Sequence, residues 1–325
     1  MLRMLNRNSG IALVAVIFIL INLSSCTEQR TAPLKLGTTV WVGYEPLYLA
    51  REKKYINDQE IKLVELLSAT QVMNAYRNKT IDMAALTMDE VLILAEEGFD
   101  PVVFLVLDSS NGGDAIIANK QYKSFDELKS KKIGYENTAV GAYLLSRALD
   151  INSMTSGDVG LVAMNVNETE SALVNKQVDA VVTFEPAKSR LLENGFVKVF
   201  SSKEVPNEII DVLIIRKDLI SKNKGHLNNL VDAWFKSLAY YKDNEIDSLR
   251  IMNQRLKLSE QRIVKAFEGV VFPQRAENLR FFENDESVPA ITSIAVRVSS
   301  QMKKNKLLKN DISVFDMYDS SFLRN

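Results

Sequence analysis

Cysteine and histidine are almost missing, with one of each in 325 residues. A single thiol allows no internal disulfide, so the fold must be held by its core. His226, the one histidine, opens a helical stretch in "KNKGHLNNL" and reads as exposed. That leaves no Cys–His pair, no histidine-rich zinc site and no Ser–His–Asp triad. No GxGxxG or P-loop pattern occurs either. No sign of charge dominates: 40 lysines and arginines face 41 aspartates and glutamates, without a basic block. Nothing therefore points to a nucleic-acid partner. What is present, 46% apolar and 25% charged residues, suits a globular protein with sizeable cores, long enough for two domains.

The N-terminus stands apart. Arg3 and Arg7 precede an apolar run from Ile11 to Leu23, which is shorter than the ~20 residues of a comfortable membrane span. It reads as the hydrophobic region of a signal peptide, residues 1–25. The "LSSC" at 23–26 resembles the lipobox of bacterial lipoproteins, which makes Cys26 an acylated (palmitate-bearing) N-terminus and residues 26–33 a tether. Cleavage removes two arginines and no acid, lowering the formal charge from −1 to −3.

From Leu34 onward, strand and helix patterns alternate. "LKLGTTV" reads as a strand, and Pro46 opens a helix to about Tyr55. "IKLVEL" precedes a helix capped by Ser68 or Thr70, and "IDMAAL" precedes a helix capped by Thr87 and stopped by Gly98. "PVVFLVLD" and "DAIIAN" are strands around the turn "SSNGG", and Ser124 with Glu127 has a capping-box spacing. Such alternation predicts mostly parallel sheets with helices on both faces.

A repeat underlies the pattern. An offset of 97 residues sets "KLG" (35–37) on "KIG" (132–134) and "AYRNKTIDMAAL" on "ALVNKQVDAVVT" without a gap. Two similar α/β units are implied. The same offset puts the corner "WVGYEP" opposite "TAVGAY", each at the carboxyl end of its unit's first strand. Ligands of open α/β sheets bind outside those strand ends, so two facing units would aim both corners at one ligand. Thr70, Thr87, Asn167 and Thr183 lie at or beside other strand ends.

The stretches "GTTVWVGYEPLYLAREKKY", "RNKTIDMAALTMDEVLILAEEG", "SFDELKSKKIGYENTAVGAYLLSRAL" and "VNKQVDAVVTFEP", in that order, resemble bacterial ABC-importer substrate-binding proteins of the NMT1/THI5-like group. That group includes nitrate, sulfonate, taurine and thiamine-precursor binders, and the resemblance covers most of residues 34–220. It implies an α/β, two-lobed periplasmic binding protein fold of type II. Each lobe would hold a mostly parallel sheet flanked by helices, with a helical C-terminal region packed mainly on lobe 1. Lobe 1 would comprise 34–112 and 212–325, and lobe 2 113–211, with crossovers near "NGGDAI" and "EIIDVLIIR". The partners implied are a small-molecule solute, an inner-membrane ABC permease and the membrane itself through the lipid anchor. The protein would be a monomer on the periplasmic side of the cell envelope, with no cofactor, metal or catalytic group. The eukaryotic pyrimidine synthase of the same group depends on histidines and cysteines that this chain lacks. A receptor signalling to a membrane kinase or cyclase is the alternative, and a solute-modifying enzyme a more distant one.

The candidate ligand contacts follow. Trp41, beside Gly43, would stack on a ligand or pack between lobes, and Tyr44 would donate its hydroxyl or staple the next helix. Thr138, Ala139 and Val140 open a helix without acids in its first turn; the resemblance implies that this corner receives a ligand's acidic group. Glu45 and Glu185 each precede a proline. Either they enter the cleft, which would call for an amine-bearing ligand, or they sit favourably near helix N-termini. Thr70, Thr87, Asp89, Asn111 and Asp211 complete the set. With Asp108 and Asp114 also near strand ends, so many acids favour a zwitterionic or nitrogen-containing organic solute over a simple anion. Trp234, in "LVDAWFKSLAYY", reads as core.

Overall fold

The computed structural model describes residues 32–283 and 289–324. The expected signal peptide, the acylated Cys26 and most of the tether lie outside the described residues. Among the described residues, no helix is long and apolar enough to cross a membrane.

The first half of the repeat runs β1 (Leu34–Thr38), α1 (Glu45–Glu52), β2 (Ile61–Glu65), α2 (Ala69–Arg77), β3 (Met83–Thr87), α3 (Met88–Glu96) and β4 (Pro101–Ser110). The chain then crosses to β5 (Asp114–Ala118), β6 (Lys132–Tyr135), α4 (Val140–Ile151), β7 (Gly160–Ala163), α5 (Val166–Val174), β8 (Ala180–Phe184), α6 (Ala187–Glu193) and β9 (Val197–Ser201). It returns through β10 (Ile210–Arg216) and continues as α7 (Lys217–Ile220), α8 (Lys224–Asp243), α9 (Glu245–Leu256), α10 (Glu260–Glu268), β11 (Val270–Val271), α11 (Arg275–Phe282) and α12 (Ile291–Lys304).

Two mixed sheets result, ordered β11-β4-β10-β3-β1-β2 and β7-β6-β8-β5-β9. Apart from β11 they share one plan. Three strands run parallel, and the fourth is antiparallel and arrives from the other sheet: β10 in the first, β5 in the second. This is the fold of periplasmic binding proteins, with each sheet flanked by helices and a helical C-terminal region.

Local chemistry explains the 97-residue repeat. α2 falls on α5 and β3 on β8 residue for residue. Asn78 and Asn175 close the two helices, and Lys79 and Lys176 follow with φ of 55° and 57°. The left-handed residue turns the chain back toward its sheet. Asp82 and Asp179 then accept the backbone N–H of Lys35 and Lys132, at 2.9 and 3.0 Å, tying each turn to the first strand of its sheet.

The strands alternate faces as pleating requires. In β10, Val212 and Ile214 enter a core that continues into the second sheet through Ile116, Ile133 and Val182. Leu213 and Ile215 enter the opposite core with Trp234, which is fully buried. Burying each such aliphatic side chain contributes roughly 1.5–3 kcal/mol. The C-terminal helices pack on this half of the molecule, α8 and α9 on α1 and α12 on α3. Two local expectations change. Residues Asp126–Leu128 form one 3-10 turn, in which Glu127 accepts the Lys123 N–H at 2.9 Å in place of a capping box on Ser124. His226 is half-buried, because the next residue, Leu227, turns the first helical turn into the core.

Candidate functional site

The carboxyl ends of β1, β3, β8 and the two crossovers converge on a small cavity between the sheets, of about 20 Å³. Thr39, Trp41, Tyr44, Ala69, Ala85, Thr87, Glu90 and Asp211 line it from one side, and Asp114, Val140 and Phe184 from the other. Lysine, arginine and histidine are all missing from that lining.

The corner after β1 owes its composition to tight packing. Trp41 donates its indole N–H to Asp108 Oδ2 at 3.3 Å and meets Phe184 edge-on, 5.6 Å between ring centres. A Cβ on Gly43 would fall 2.0 Å from Asp108 Oδ2 and 2.2 Å from Trp41 Nε1. Gly113 clears the far edge of the same indole, where a Cβ would sit 2.4 Å from the ring. The two glycines are therefore what lets the Trp41–Asp108 pair lie flat against the crossover. Tyr44 donates its hydroxyl to Asp211 Oδ1. Asp211 and Asp108 are direct cross-strand partners on β10 and β4.

Electrostatics here are one-sided. Burial pushes the Asp108 carboxyl up to about 8, and burial together with the neighbouring Asp108 holds Asp211 well above the usual carboxylate range. Two carboxyls this close favour one shared proton. Burial also raises Asp114 to about 6, against the pull of Ser110 and Lys188, and Asp89 to about 7, against the nearby Thr87 hydroxyl and the backbone N–H groups at the start of α3. Burial, then Asp89, raise Glu90 well above its ordinary value. Burial and Asp211 do the same to the Tyr44 phenol. Among the described residues, no three of these acids converge as metal ligands would.

Of the residues singled out in the sequence, Trp41, Tyr44, Thr87, Val140 and Asp211 meet at the cavity. Thr70, Thr138 and Ala139 stand beside it: the Thr70 and Thr138 hydroxyls are 2.6 Å apart, and Ala139 is the N-cap residue of α4. Asp89 is buried behind the lining. Three others sit elsewhere. Glu45, fully buried, binds Arg255 Nε through both oxygens at 3.1 and 3.2 Å, and burial raises it to about 7 against that arginine. Glu185 accepts the Ser189 N–H and hydroxyl and pairs with Lys188 at 2.7 Å, all within α6 and its start. Asn111 is exposed and donates its N–H to the Gly269 carbonyl at 2.8 Å.

Glu90, Asp108, Asp114, Glu136 and Phe184 were not among the twelve. Glu90 follows Thr87 with capping-box spacing, and one of its oxygens does accept the Thr87 N–H at 3.0 Å. That local role hides the second oxygen, which reaches Val140 N of the other half at 3.2 Å. Asp108 and Asp114 already figure in the sequence as acids near strand ends, though not as ligand contacts.

Two like-built sheets, whose strand ends meet at one cavity and which are joined by two crossovers, make up the fold of the periplasmic binding proteins. A family model described as the NMT1-like family matches residues 27–251, and the chain belongs to that family. A Brucella abortus (strain 2308) protein provisionally named a binding protein is 25% identical over 160 residues, 48% of this chain and 50% of the relative. The chain thus spans about half the length of that relative. A Bacillus subtilis (strain 168) protein provisionally named for binding aliphatic sulfonates is 25% identical over 258 residues, 69% of this chain and 76% of its own. In structure, the alkanesulfonate-binding protein of Xanthomonas axonopodis pv. citri, bound to MOPS, superposes with a TM-score of 0.75 at 15% identity, covering 89% of this chain and 99% of that one. The fold also occurs in a desulfurization enzyme, with a TM-score of 0.67 at 16% identity over 90% of this chain and 98% of that one.

Proposed function

We propose that this chain is the extracytoplasmic solute-binding lipoprotein of an ABC importer, and that its solute is a small organic molecule carrying a cationic or N–H-donating nitrogen. Membership of the NMT1-like family and relatives named as binding proteins support the first part. The second rests on one observation: Glu90 and Asp211 line the cavity without a basic side chain among the lining residues, beside Asp114, which Lys188 reaches from outside the lining. Buried carboxylates without a counter-charge are costly, and a cation relieves that cost while an anion adds to it. Trp41, Tyr44 and Phe184 supply aromatic faces that suit a cation or a flat heterocycle. The relatives named for sulfonates would then share the fold and differ in the charge they accept.

The lobes in this reading are 34–112 with 212–325, and 113–211. They would hinge where the chain crosses, at 111–113 and 202–209. A cavity of about 20 Å³ has room for about one water-sized molecule, so a larger solute enters only when the sheets part. Cys26 would tether the receptor to the membrane through "LSSC", beside an inner-membrane permease, and it would act as a monomer without catalysis.

Thermal shift against amines, aminopyrimidines, amino acids, carboxylates and sulfonates tests this. A ligand at about 100 times its Kd adds roughly 2.7 kcal/mol, a shift of several degrees. Stabilisation confined to nitrogen-bearing compounds is expected. Stabilisation by sulfonates alone would overturn the charge assignment.

A further inference from the structure

Two helix N-termini face each other across the cleft, and each is closed by a carboxylate from the opposite half of the molecule. α4 starts at Val140 behind Ala139, whose methyl group cannot cap it, and its Val140 N–H goes to Glu90 Oε1 on α3 at 3.2 Å. α2 starts at Ala69 behind Ser68, whose hydroxyl accepts the Gln71 N–H at 3.3 Å, and its Thr70 N–H goes to Glu136 Oε1, after β6, at 3.1 Å. The Thr70 hydroxyl binds the same oxygen. Glu90 and Glu136 are 1% and 4% exposed, and neither forms an ion pair among the described residues.

An uncapped helix N-terminus in a cleft attracts anions, because its N–H groups are unpaired and carry the positive end of the helix dipole. Here that place is taken. We propose that Glu90 sets the charge selectivity of the cleft, its carboxyl group occupying the α4 N-terminal N–H that the acidic group of a solute would need, with Glu136 doing the same at α2. A sulfonate or carboxylate would have to displace a buried carboxyl group or compete with it for its N–H donors. A cation meets no such barrier. The inference takes the cleft as the solute site, but it does not depend on which nitrogen compound the cleft accepts.

Glu90→Gln isolates the effect. The remaining side-chain carbonyl can keep the Thr87 N–H bond that starts α3, while the amide NH2 replaces the oxygen facing Val140. The Val140 N–H is then free for a sulfonate oxygen. Binding of ethanesulfonate and of a panel of primary amines is measured calorimetrically on wild type and variant, with circular dichroism confirming the fold. The expected result is at least a tenfold gain in ethanesulfonate affinity in the variant. Equal ethanesulfonate affinity in the two proteins, whether both bind or neither does, overturns the selectivity role. If Glu90→Gln does not fold, Glu136→Gln is judged by the same criterion at the α2 terminus. The amine arm separates this inference from the function it builds on. Amine binding by wild type with no sulfonate gain in the variant removes the role of Glu90 and leaves the nitrogen reading standing. A sulfonate gain without amine binding supports Glu90 and removes the nitrogen reading.

Discussion

Asp108→Asn should make the unliganded protein more stable, and increasingly so as the pH rises. Asp108 is fully buried, lies opposite Asp211 across the β4–β10 ladder, and has one oxygen without an N–H or O–H donor among the described residues. Its carboxyl is pushed from the ordinary 3.8 up to about 8, chiefly by burial. Because the folded value lies above the unfolded one, the stability tied to its proton is intact below about pH 4 and is lost as pH climbs through about 8. At 1.36 kcal/mol per pH unit, a gap of about four units sets an upper bound of ~5 kcal/mol. Asparagine is isosteric, can still accept the Trp41 N–H and does not titrate. Removing the charge also relieves Asp211, whose carboxyl Asp108 helps to raise. A gain of about 2–5 kcal/mol at pH 8 and close to none at pH 4.5 is therefore expected. Urea denaturation of both proteins from pH 4.5 to 8.5 measures it, with the m-values compared to check that the folded states match. Parallel stability curves, or a wild type more stable than the variant at pH 8, would refute the view that these two carboxyls crowd one buried site.

Amine binding near pH 7 should release protons, because Glu90 and Asp211, which line the cavity and are held well above the usual carboxylate range, must ionise to meet a cation. Calorimetry in buffers of different ionisation enthalpy reads the number, and zero or uptake would count against the cationic solute. Gly43→Ala places a methyl where Asp108 and Trp41 already are, and should cost about 1–3 kcal/mol and shift tryptophan fluorescence; an unperturbed spectrum would contradict the close packing. Arg255→Ala leaves Glu45 buried without its partner, so a loss of about 3 kcal/mol is expected at pH 8. The loss should be smaller at pH 5, where Glu45 takes up a proton in the folded state, and a pH-independent loss would argue against an ionised pair.

The order of strands and helices was legible in local chemistry. The Asn-Lys-x-x-Asp pattern recurs 97 residues apart because each copy ends a helix, turns left-handed and ties back to its own first strand, all within one α/β unit. Caps at Ser68 and Thr87, the stop at Gly98 and the buried helix face of Trp234 are likewise short-range consequences of residue type and spacing. These interactions join neighbours in the chain, so the chain displays them.

The partners of the buried acids could not be read that way. Glu45 and Glu185 look alike before their prolines, yet one meets Arg255, 210 residues away, and the other Lys188, within a turn. Glu90 reads as a complete capping box until its second oxygen is seen on Val140. Asp108 and Asp211 become neighbours only because β10 inserts antiparallel between β3 and β4 after a long excursion through the other sheet. A carboxylate's local sequence sets where its backbone lies. What balances its charge is decided by whichever groups the folded chain brings within a few ångströms, and across a cleft those come from segments far apart in the chain.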